Sequence, residues 1–131
     1  MRPITTTFHH RAALGARLAA LLVPAIMLAA PQAAAKSRVV SCRIESSGKL
    51  QFKGRCLFTS DANGSFSLGS VGKPGRFFRA ILSVNVYVVK RGVAEVRGLT
   101  KHGINSRWGP AVRSKRDPAC WVGSDFRICA W

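Results

Sequence analysis

From Val40 onward, apolar and polar residues alternate with a period of two. Val40, Cys42 and Ile44 interleave with Ser41, Arg43 and Glu45, the pattern of a strand with one buried face. Ser46-Ser47-Gly48 predicts a turn. Leu50 and Phe52 then alternate with Lys49, Gln51 and Lys53. The two segments read as a hairpin with one apolar and one basic face, and Gly54, just before Cys56, marks a candidate bulge. Asp61-Ala62-Asn63-Gly64 is the strongest turn signal, because Asn and Gly both tolerate the positive φ of a type I′ turn. Phe66 and Leu68 alternate with Ser65 and Ser67 beyond it, and residues 69–75 (GSVGKPG) predict a loop. Residues 77–89 (FFRAILSVNVYVV) are β-branched and aromatic, which favours one or two strands through the core. A helix over residues 76–82 is the alternative there. Lys90-Arg91-Gly92 predicts a turn, and residues 93–99 a strand folded back onto 84–89. Residues 100–118, rich in Gly, Pro, Ser and charge, read as a long basic loop. Order returns with Cys120-Trp121-Val122, a turn at Gly123-Ser124-Asp125, and residues 126–131. The sum is an all-β domain of six to eight short strands, a small antiparallel sandwich or barrel.

The first 35 residues break the pattern. Arg2, Arg11 and Arg17 precede or enter an apolar run over residues 18–30 (LAALLVPAIMLAA), and Ala33-Ala34-Ala35 follows. A basic start, an apolar centre and small residues at the end are the parts of a cleaved secretory signal. The run is short of the roughly 20 apolar residues of a membrane helix, and Pro24 interrupts it. Residues 1–35 are therefore expected to be a signal peptide. Residues 36–131 are then a single domain, periplasmic or secreted, without a transmembrane segment. So small a domain buries only about 60–65% of the surface of its unfolded chain, which makes its core marginal.

Cys42, Cys56, Cys120 and Cys129 all follow the signal segment. In an oxidising compartment an even count implies disulfides, each contributing about 2–4 kcal/mol. Three pairings are open. Closeness in sequence favours Cys42–Cys56 and Cys120–Cys129, each flanking a hairpin. With Ile44 opposite Leu50, however, Cys42 would face Phe52, so the first bond needs a register shift or a bulge near Gly54. Zinc is disfavoured, since no C-x-x-C is present and His102 is the only histidine after residue 35. Val39-Val40-Ser41-Cys42 superficially resembles the box before a lipidated cysteine. Lys36 and Arg38 separate it from the apolar run, and lipidation would leave an unpaired thiol.

Lys and Arg number 21 against 5 Asp and Glu, a net charge of +16. Loss of Arg2, Arg11 and Arg17 lowers it from +16 to +13. That density implies attraction to an anionic polymer or membrane surface: lipopolysaccharide, anionic lipid or nucleic acid. Arg97, Lys101, Arg107, Arg113, Lys115 and Arg116 fall in one stretch that contains Trp108 and no acid. Cations around an aromatic suit an anion-binding surface. Arg107, Trp108, Arg113, Lys115 and Arg116 are therefore the candidate binding residues. The rival reading of Trp108 is a cover over the open end of a small core.

Chemistry is poorly supplied. The acids are Glu45, Asp61, Glu95, Asp117 and Asp125. Three lie in or beside expected turns, Asp117 precedes Pro118, and Glu95 shares a strand side with Arg97, which suits an ion pair. A two-carboxylate hydrolase needs a pair about 5–9 Å apart, and no spacing suggests one. A Ser–His–Asp set would have to use His102. The expectation is a non-enzyme with no catalytic residue, no cofactor and no metal. A hydrolase using His102 is the third reading.

Residues 117–131 (DPACWVGSDFRICAW), with Cys42, Gly54 and Cys56, Gly64-Ser65-Phe66, and Trp108-Gly109, carry a resemblance. This pattern resembles a group of small exported four-cysteine proteins of (alpha)proteobacteria that end in Cys-Trp…Ile-Cys-Ala. The resemblance implies export, a disulfide framework and a compact β domain, and it assigns no activity. Periplasmic inhibitors of c-type lysozyme are also small disulfide-bonded barrels. Their Ser-Gly-x-x-Tyr motif has no counterpart here, Tyr87 being the only tyrosine, and a strongly basic chain would be repelled by a basic lysozyme. The leading functional expectation is a small exported binding protein that contacts an anionic envelope component. The alternative is a protein-binding module, either a periplasmic enzyme inhibitor or an envelope-assembly partner.

Overall fold

The computed structural model describes residues 35–131, so the expected signal segment, Ala35 apart, lies outside the described residues. Eight antiparallel strands follow one another around a closed barrel. They are β1 (Ser37–Ser46), β2 (Lys49–Ser60), β3 (Phe66–Gly69), β4 (Ile81–Lys90), β5 (Val93–Thr100), β6 (Asn105–Arg113), β7 (Cys120–Val122) and β8 (Phe126–Ala130). β8 returns to pair with β1 over Cys42–Ser46, which closes the sheet and leaves it no long edge. The fold is thus the barrel of the two expected all-β forms.

The period-two pattern fills the interior. Ile44, Leu68, Val84, Val86, Val96 and Ile128 are fully buried, and Trp121 nearly so. Because the strands run up and down, the barrel has two distinct ends. The lower end carries the turns after β1, β3, β5 and β7. It is plugged by aromatic rings: Phe52 lies 4.5 Å from Phe77 and 6.1 Å from Phe78, centroid to centroid. Residues 76–82 form no helix. A turn at Phe78 is closed by the Ile81 amide donating to the Phe78 carbonyl at 2.8 Å, and β4 starts there. The upper end carries the turns after β2, β4 and β6, and it is open.

Two expectations change. The basic loop at 100–118 contains β6, whose alternation is hidden by a bulge. Val96 pairs with Gly109 and Arg97 with Arg107, so Trp108 is the extra residue. The hairpin β1–β2 also has a bulge, placed at Gln51 and not near Gly54. Ile44 therefore opposes Phe52, not Leu50, and Glu45 opposes Leu50. The Gln51 side-chain amide donates to the Ser46 carbonyl at 3.3 Å.

This register brings the cysteines together. Cys42 opposes Gly54, and Cys56 lies two residues further along the same face. The Cys42–Cys56 bond spans a Cα–Cα distance of 5.9 Å inside the core. Its sulfur is thereby committed, which opposes the lipidated-cysteine reading. Cys120 opposes Cys129 directly and is bonded to it. Their neighbours Trp121 and Ile128 point inward, so this second bond sits on the outer side of the sheet, where both cysteines are nonetheless buried. No free cysteine remains among the described residues.

Candidate functional site

The open upper end is built by three short connections. Asp61 caps the first, its Oδ1 accepting from the Ala62 amide at 2.7 Å. Asn63 and Gly64 take positive φ (58° and 79°), as the turn signal predicts. Ser65 Oγ accepts from the Val88 amide at 2.9 Å and holds this turn against β4. The second connection is the hairpin Lys90-Arg91-Gly92, where Gly92 has φ 75°. The Arg113 amide donates to the Gly92 carbonyl at 2.9 Å, tying the hairpin to β6. The third runs from Ser114 to Ala119. There Ser114 Oγ accepts from the Arg116 and Asp117 amides at 3.3 Å, and Asp117 Oδ1 accepts from the Ala119 amide at 3.0 Å.

The first two connections, together with Arg113 and Trp121, line a cavity of about 670 Å³, within the range of small-molecule sites. Val88 and Val89 give it an apolar wall, Trp121 its floor, and Lys90, Arg91 and Arg113 its cations. Arg113 opposes Trp121 in the β6–β7 register and lies two residues beyond buried Ala111, so both side chains face inward. The guanidinium stands 4.8 Å from the indole ring, a cation–π contact that holds it in place. The described lining residues include no carboxylate, histidine or thiol. Such a mouth can bind an anion, with guanidinium groups able to grip phosphate or carboxylate in two-point fashion.

The five expected binding residues do not form one surface. Arg113, Lys115 and Arg116 belong to the upper end. Arg107 and Trp108 lie further down β6, and Trp108 is about 17 Å along the strand from Arg113. Arg107 is exposed and paired with Glu95, whose second oxygen accepts from Nη2 at 3.3 Å. That hydrogen bond, together with the Glu95 charge, holds the Arg107 guanidinium above its ordinary pKa. The partner of Glu95 is thus Arg107 across the strands, not Arg97. Trp108 packs on the core, edge-to-face with Phe126 at 5.9 Å. It also lies over Gly98, where a Cβ would come within 2.7 Å of the indole nitrogen. Trp108 therefore covers the gap left where β7 pairs only with Val112 and Arg113. Glycine at position 98 is what lets it lie flat.

The sequence marks Lys90 and Arg91 only as part of a turn and Trp121 only as a strand residue. The inward alternation from Ala111 to Arg113 signals the place of Arg113 over Trp121, and nothing in the local pattern brings Lys90 and Arg91 to them. A smaller groove of about 390 Å³ lies between Arg43, Lys53, Arg55 and Trp131. There Arg43 already donates to Glu45 at 2.5 Å. His102 occupies an exposed turn after β5. No group of three His, Cys, Asp or Glu side chains is placed to hold a metal among the described residues. No described helix is long and apolar enough to cross a membrane. No family model, curated protein or solved structure matches the chain, so its own residues carry the functional reading.

Proposed function

We propose that this chain is a small exported binding protein, without catalysis, that holds an anionic component of the cell envelope in the mouth of its barrel. One observation carries the reading: Lys90, Arg91 and Arg113 converge on a cavity whose described lining has no carboxylate to neutralise them. Lys115 and Arg116 extend the positive field next to it. The export half of the reading is supported by the basic–apolar–small pattern of residues 1–35. Two disulfides, with no free cysteine among the described residues, agree with an oxidising compartment.

Export predicts that intact mass of the protein recovered from cells starts at Lys36 and shows no free thiol. A mass that retains residues 1–35 would remove the envelope from the reading. Anion binding predicts a steep salt dependence, because neutralising each phosphate releases a condensed counterion. For inorganic polyphosphate, log K should fall against log salt with a slope of about −2 to −3, as for three contacts. The variant Lys90→Gln/Arg91→Gln/Arg113→Gln should flatten that slope toward zero. Calorimetric titrations across a salt series measure both. A parent slope untouched by the triple variant would move the binding away from the mouth.

A further inference from the structure

The wall of the barrel beside the mouth carries a feature that anion binding alone does not use. Val93 opposes Val112, and Val112 opposes Val122, so three valines lie side by side on the outer face of β5, β6 and β7. Val112 is 55% exposed. Val89, extruded by the bulge between Val88 and Lys90, is 65% exposed. Cations frame this row. Lys90 opposes Val93 at one end and Arg91 tops the adjoining hairpin, while at the other end Arg127 opposes Val122 and is followed on β1 by Glu45, which is paired with Arg43. Glu95 on β5 is taken by Arg107, so the cationic end of the row is the one at Lys90 and Arg91, Asp125 lying beside Arg127 at the other.

We infer that this wall docks on an anionic phospholipid surface, with Val89 and Val112 entering the headgroup–acyl boundary and Lys90, Arg91 and Arg127 meeting the phosphates. The inference rests on the anion-binding reading and names its ligand. Charge complementarity selects an anionic partner. The exposed valines select a partner with an apolar interior, because a polyphosphate or a nucleic-acid backbone offers them nothing and leaves them in water. Peripheral membrane binding combines these two contributions, apolar burial and attraction to anionic lipid.

The test uses the full chain as cells process and deliver it. Three probes are compared: phosphatidylglycerol vesicles, phosphatidylcholine vesicles and soluble inorganic polyphosphate. Any contact made by the apolar residues 18–30 registers on both vesicle types and is subtracted. Cosedimentation should show binding to phosphatidylglycerol at least tenfold tighter than to phosphatidylcholine. Val112→Thr/Val122→Thr lies outside the lining of the mouth and keeps residues that suit strands. It should weaken vesicle binding about fivefold or more while polyphosphate binding stays within twofold. Lys90→Gln/Arg91→Gln should weaken both, by about fivefold for each cation lost at the vesicle surface. Polyphosphate binding without vesicle binding, or vesicle binding indifferent to the threonine pair, would overturn membrane docking and leave the mouth as an anion site. Failure to bind either probe at low salt would overturn both readings.

Discussion

A chain carrying Trp121→Ala is expected to be about 4 kcal/mol less stable than its parent. Trp121 is the largest fully buried side chain and is only 2% exposed. It sits on β7, a strand of three residues that joins β6 through two register pairs alone. So short a strand is held mainly by what its side chains pack against. Removing the indole would empty the floor of the upper mouth and loosen the β6–β7 joint together. A small domain has about 5–10 kcal/mol in all, so the loss would take roughly half. Urea unfolding measures it as a lower midpoint at unchanged slope. Trp121→Phe keeps an aromatic face for Arg113 and should cost less than half as much. A loss below about 1.5 kcal/mol for the alanine variant would contradict the packing described for this ring.

The two disulfides should not be equivalent. Chain-entropy reasoning gives similar contributions for separations of 14 and 9 residues, about 3 and 2.7 kcal/mol. Their surroundings differ more. All four cysteines are buried, but Cys42 and Cys56 pack within the apolar cluster inside the barrel, whereas Cys120 and Cys129 lie on its outer side, apart from that cluster. Cys42→Ala/Cys56→Ala should therefore cost about 4–5 kcal/mol, adding lost core packing to the chain term. Cys120→Ala/Cys129→Ala should cost about 3 kcal/mol, the chain term with a smaller loss of packing outside the main cluster. Parallel denaturant titrations of the two double variants compare them directly. Equal losses, or the reverse order, would contradict the placement of one bond inside the barrel and one outside.

Most of the strands were legible because each buries one face, so Val40, Cys42 and Ile44, or Val84 and Val86, announce themselves by alternation. The turns at Ser47-Gly48, Asn63-Gly64 and Lys90-Arg91-Gly92 were legible for a different reason, the backbone freedom they require. β6 was not, because the extra residue at Trp108 shifts its inward positions by one and Pro110 is a poor advertisement for a strand. The register of β1 against β2 is hidden for a similar reason. The bulge at Gln51 leaves no mark in the period until the partner strand is known. The mouth was only half visible. Arg113, Lys115 and Arg116 stand out by charge, but Lys90 and Arg91 join Arg113 only through the two successive pairings of β4 with β5 and β5 with β6. Nearness in sequence groups Arg107 and Trp108 with Arg113, but five residues of extended chain carry them well apart.

The two disulfides lie in the first and last hairpins, and those hairpins supply β1 and β8, the pair that closes the barrel. All the other strand pairings join neighbours in sequence and form by short-range search. Closure alone must bring residues near 44 and 128 together, and it carries the large loop entropy. Each native sulfur bond can thus be made within its own hairpin before that search begins. Oxidation then presents two rigid ribbons for docking and leaves the slow, long-distance step with a single encounter to find.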